Sequence, residues 1–125
     1  ITNGKWRYIR NLSHASLYIE KHLMGKHEHN PYWSSWVFSS FSNPKHEMLV
    51  NRFMKRPAEE LYHTNEDHYE MTNLASDPTH AKIKETLATI LDQHLKDQGD
   101  PGLSLDTKKA HKAAANLTPS FQSKP

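Results

Sequence analysis

Three groups of side chains in this 125-residue chain could do chemistry. His22, His27 and His29, with Glu28 between them, offer three imidazoles and a carboxylate of the kinds that bind zinc. Their separations of five and two residues fit no helix-face or knuckle spacing. A solvated histidine-rich loop is the simpler reading. Glu59-Glu60 resembles a carboxylate pair for acid–base work. Neighbouring strand residues point to opposite faces, however, so one surface and one structural glutamate is the stronger reading. Trp33 and Trp36 could stack on sugar rings, but their spacing suits a core-facing helix better. Asn11-Leu12-Ser13 and Asn116-Leu117-Thr118 match the glycosylation sequon, and Pro119 disfavours the second.

Composition narrows the field. There is no cysteine, which excludes disulfides, thiolate nucleophiles and cysteine-type zinc sites. The 16 basic residues are interspersed with 14 acidic ones, and the net charge is +2. No basic run marks a nucleic-acid surface. No apolar run approaches the roughly 18 residues of a membrane span, so no membrane partner is expected. Hydrophobic residues are 35% and mean hydropathy is −0.87, lean for a chain filling its own core. A module of this kind is expected to lean on a neighbour. Ile1-Thr2-Asn3-Gly4 reads as mid-domain sequence, so a longer parent protein is expected.

The elements that would position such groups follow from local signals. Asn3-Gly4 predicts a hairpin turn, since both residues tolerate positive φ. Lys5 to Leu12 alternates as a strand, with Trp6, Tyr8 and Arg10 on one side. Ser13 to Asn30 reads as a long polar loop. Trp33, Trp36 and Val37, at i, i+3 and i+4, predict a short helix within Pro31 to Ser42 packed by one aromatic face. Asn43-Pro44 caps and starts a helix running to about Lys55, and Pro57 ends it. Glu59 to Tyr62 is a short extended segment, and Asn65-Glu66-Asp67 is turn chemistry. Glu70 and Asn73 are spaced to hold the following loop, with Leu74 at its end. Asp77-Pro78 opens the clearest helix, with Ile83, Leu87, Ile90, Leu91 and Leu95 in one stripe. Gly99 and Pro101 close it. The predicted fold is α+β: a small antiparallel β-sheet packed against this C-terminal amphipathic helix. Residues 103–125 read as a polar tail.

The order of signals from Arg56 to Pro78 resembles the C-terminal subdomain of the sulfatase family, in the branch that includes heparan N-sulfatases. The family pattern runs R-P-x-E-E-L-Y-D-L, then D-P-x-E, N-L-A and D-P before a long helix. Arg56, Pro57, Glu59, Glu60, Leu61, Tyr62, Asp67, Glu70, Asn73, Leu74, Ala75, Asp77 and Pro78 match it. His63, Thr64 and His68 depart from the usual Asp, Leu and Pro. The family's R-x-G-R-Y-K-Y-I-x-N hairpin is matched loosely by Gly4, Lys5, Arg7, Tyr8, Ile9 and Asn11. The resemblance covers residues 1–102.

The resemblance implies a parent that hydrolyses sulfate esters or sulfamates of a sulfated saccharide, in the periplasm or outside the cell. Such enzymes convert Cys or Ser within C-x-P-S-R or S-x-P-S-R to formylglycine, beside a calcium ion. Neither motif occurs: Ser42-Asn43-Pro44 runs into Lys45, and Thr118-Pro119-Ser120 into Phe121. No paired-aspartate calcium cluster is visible either. The catalytic centre is therefore expected in an N-terminal catalytic domain acting as partner, and this part alone is expected to be inactive. The resemblance also implies that the loop after the first strand nears the substrate. Arg10, Asn11 and His14 stand there as candidate substrate-binding residues, a bidentate cation and groups that bond sugar hydroxyls. The rival reading is a stand-alone, non-enzymatic module that binds acidic glycans through histidine and lysine.

Overall fold

The computed structural model describes residues 1–18, 24, 31–100, 102, 108 and 109. Its elements run in the order β1 (Trp6–Arg10), α1 (Pro31–Ser40), α2 (Pro44–Met54), β2 (Glu59–His63), a 3-10 turn (Pro78–His80) and α3 (Ala81–Gln98). β1 and β2 pair antiparallel, with Tyr8 opposite Leu61 and Arg10 opposite Glu59. The expected α+β architecture is present. The expected tail and the His22–His29 cluster lie outside the described residues, apart from Met24, Lys108 and Lys109.

The local signals act where expected, with one shift. Thr2 bridges Arg7, and Asn3 N–H donates to Trp6 C=O at 3.1 Å, which centres the turn on Gly4-Lys5. Gly4 takes φ +86°, where a Cβ would be strained, and Asn3 Oδ1 accepts from Lys5 and Trp6 N–H. Asn43 Oδ1 caps α2 by accepting from Lys45 and His46 N–H. Asp77 Oδ1 accepts from Thr79 N–H and starts the 3-10 turn that leads into α3. Gly99, at φ +68°, ends α3 in the left-handed region.

The core forms where the sheet meets α3. Tyr8, Leu61, Ala75 and Leu87 are buried, flanked by Trp6, Leu74, Ile83, Ala88 and Leu91. Burying Leu87 alone is worth about 1.5–3 kcal/mol. The stripe is narrower than its sequence suggests, because Ile90 remains 48% exposed. At about 100° per residue, Ile90 lies about 60° from the Leu87 axis, on the side away from Lys84 and Ala88.

β2 is buried on its other face as well. Tyr62 donates its hydroxyl to the Glu60 carboxylate, and Asn11 Nδ2 donates to Glu60 Oε1 at 2.7 Å. From α2, Arg52 reaches Tyr62 Oη at 3.3 Å and the Glu70 carbonyl. Burial pushes the Tyr62 hydroxyl up to about 12, with the Glu60 hydrogen bond adding to it. The helix α1 departs from expectation. None of its residues is buried; Trp36 and Phe38 are 49% and 78% exposed, and Phe41 just beyond it is 81% exposed. Trp33 packs against an aromatic residue of α2, Phe53, at 5.5 Å between ring centroids. Val50, not Met48 or Leu49, is the buried residue of α2.

Candidate functional site

The stretch of residues 11–18, which leaves β1, is tied at both ends to the last residue of α2 and the segment joining α2 to β2. At its start, Asn11 N–H donates to Ala58 C=O at 2.9 Å, and Asn11 Nδ2 donates to Pro57 C=O at 2.7 Å. A turn follows, closed by Ser16 N–H to Ser13 C=O at 3.0 Å. At the far end, Tyr18 N–H donates to Met54 C=O at 2.7 Å. Between these ties lies an open groove of about 280 Å³. Its lining includes Asn11, Ser13, His14, Ser16, Tyr18 and Arg56.

Two of the three residues expected from the sequence, Asn11 and His14, therefore share this groove. His14 is exposed, and its Nδ1 lies 3.3 Å from the Asn11 carbonyl oxygen. The structure places Arg10 elsewhere. Its guanidinium forms a two-point pair with the Asp92 carboxylate of α3, the second contact at 3.3 Å, and its Nε lies 3.4 Å from Tyr8 Oη. The Asp92 hydrogen bond raises the Arg10 pKa, and in return Asp92 is held below the usual carboxylate range.

Arg56 is the cation that sequence reasoning did not assign to the groove. Its guanidinium carbon lies 5.4 Å from the Tyr18 ring centroid. Tyr18 in turn meets Phe53 edge-on at 5.7 Å. The sequence signal was present in Arg56-Pro57, where the proline disfavours helix at Arg56 and ends α2. The contact with Tyr18 spans 38 positions and carries no local signal.

The Glu59-Glu60 pair is fully engaged. Glu59 accepts from Tyr8 Oη at 2.6 Å and from Lys84 Nζ at 3.1 Å. Those bonds, the Tyr8 one foremost, hold its carboxyl below the usual range. Glu60 is 5% exposed and bound by Tyr62 and Asn11. The two side chains serve opposite faces of β2, as the alternation predicts.

A larger concavity, of about 740 Å³, lies between α1 and α2 and is lined mainly by Trp33, Trp36, Leu49, Val50 and Phe53. Its polar edge is the 2.6 Å contact between Ser39 Oγ and His46 Nδ1. Among the described residues its lining holds no carboxylate and no lysine or arginine for a reaction or an ionic ligand. Among the described residues, no group of three or more His, Cys, Asp or Glu could hold a metal ion.

Over 100 residues, 80% of the chain, the sequence is 32% identical to an ulvan-active sulfatase of Formosa agariphila. The match spans 17% of that protein's length. The chain thus contains a sulfatase-related region with an α+β fold, related to a minor part of a hydrolase. No family model matches the sequence. No solved structure matches it either. Among the described residues, no helix is long and apolar enough to cross a membrane.

Proposed function

We propose that this chain is the C-terminal part of a sulfatase that hydrolyses sulfate esters or sulfamates of a sulfated glycan. It shapes the substrate cleft and packs on an N-terminal catalytic domain. The nucleophile, as formylglycine, and the calcium ion belong to that domain. The observation that carries this reading is the 32% identity to a sulfatase over 100 residues. The clamped loop supports it: Asn11 fixes the loop's base on Pro57, Ala58 and Glu60, and His14 is left open to a substrate. Arg10 stands beside them and reaches a substrate anion only by giving up Asp92. A periplasmic or secreted location accords with a polymeric glycan substrate. Ulvan is the first substrate to screen, because the relative is named for acting on it.

The test is to read the natural coding sequence upstream of Ile1. An open frame that encodes C-x-P-S-R or S-x-P-S-R is the expected result. The complete protein then releases sulfate, and His14→Ala lowers kcat/KM by about fivefold or more. A start codon directly before Ile1, with no such motif, overturns the reading in favour of a stand-alone glycan-binding module.

A further inference from the structure

Among the described residues that line the groove beside the β1 loop, Arg56 is the one fixed charge and none is acidic. Arg10, the last residue of β1, is neutralised by Asp92. Arg56 has no carboxylate within ion-pair distance among the described residues. It is half-buried and lies over the Tyr18 ring. Stacking on an aromatic face removes mobility from a guanidinium while leaving its in-plane N–H groups free to donate. The ring beneath is itself fixed, by the Tyr18 N–H to Met54 C=O bond and the edge contact with Phe53. Pro57 restrains the backbone on the other side of Arg56. The lining also carries His14 and Ser16, groups suited to sugar hydroxyls.

We propose that Arg56, stacked on Tyr18, is the anion-reading residue of this groove and pairs with a carboxylate or sulfate carried on a sugar ring. Both anions present two oxygens in the geometry of the guanidinium fork. The glycan nature of the ligand rests on the sulfatase reading, whereas the anion preference rests on the groove.

The experiment is calorimetric titration of the complete protein with one uronic-acid-containing oligosaccharide, in sulfated and desulfated forms. A neutral oligosaccharide of equal length is the third probe. An anionic form binds and the neutral one does not. Loss of binding on desulfation assigns the anion to sulfate, and its retention assigns it to the carboxylate. Arg56→Ala weakens binding about tenfold or more, and Arg56→Lys recovers only part, because an ammonium neither stacks nor forks. Tyr18→Leu, which keeps the charge and loses the stack, weakens binding about threefold. Lys96→Ala, on the exposed end of α3, binds as the parent does. Unchanged affinity in a folded Arg56→Ala protein, equal binding of the neutral sugar, or no binding by the parent protein overturns the proposal. Absence of a nucleophile motif upstream would sink the sulfatase reading and leave anion binding standing. Unchanged binding in Arg56→Ala would do the reverse.

Discussion

Asn73 does the work of a third strand along the free edge of β2. Its Oδ1 accepts from Leu61 N–H at 2.9 Å and from Ala75 N–H at 3.0 Å, while its Nδ2 donates to Glu59 C=O at 3.0 Å. The neighbouring Leu74 N–H donates to Leu61 C=O at 2.8 Å. Asn73→Ala removes the three side-chain bonds together. A protein hydrogen bond contributes about 1 kcal/mol net, and a buried donor left unmade costs about 1–3 kcal/mol. Leu61 is fully buried, so its N–H carries the larger cost, whereas the exposed Glu59 carbonyl regains water. The expected loss is about 2–3 kcal/mol, or roughly 10–20 °C in Tm for a domain of this size. Asn73→Asp keeps both acceptor roles but turns its second group against the Glu59 carbonyl, so it recovers only part of the loss and costs about 1–2 kcal/mol. Urea unfolding followed by far-UV circular dichroism measures both, and an unchanged slope shows that the unfolded state is unaltered. An Asn73→Ala protein within about 0.5 kcal/mol of the parent refutes the reasoning, as does an Asp variant as damaged as the Ala one.

On α3, Leu87→Ala should cost about 2–5 kcal/mol, while Ile90→Ala, half exposed, should stay within about 1 kcal/mol; chemical denaturation of the pair checks this. Gly99→Ala should cost about 1–2 kcal/mol in the same measurement, because φ +68° disfavours a Cβ. Glu59 is depressed in the fold by Tyr8 and Lys84, so its contribution is present above the ordinary glutamate range and is lost as pH falls through the folded value. Tm measured from pH 7 down to about 3 should therefore fall, and fall less steeply in Glu59→Gln. Tyr62, raised to about 12, contributes stability that is complete below the ordinary tyrosine value and lost as pH rises toward 12. Tyr62→Phe should flatten that alkaline decline, read by Tm between about pH 9 and 12.

Much of the scaffold was legible because its causes are local. Asn43-Pro44, Asp77-Pro78 and Gly99 mark helix ends through bonds within a few residues, so their positions could be read directly. The alternation of β1 and the stripe of α3 identified Tyr8 and Leu87 as core, since strand and helix periods fix which side chains share a face. Asn11 and His14 were legible as candidates only through the family pattern, and the groove that joins them depends on ties to Met54, Pro57 and Ala58.

What tertiary structure decided is which partners meet across long stretches of chain. Arg10 and Asp92 are 82 positions apart, and their pairing braces β1 against α3. Arg56 meets Tyr18 only because the β1 loop returns to α2, which puts a cation in the groove at a residue that the sequence offered only as part of the family pattern. Ile90 belongs to the apolar stripe by period, yet a two-stranded sheet is too narrow to cover it. Sequence determines faces and ends, because those are set by residues within a turn or two. Which charges cancel and which remain open is set by distance in space, and that only the folded chain decides.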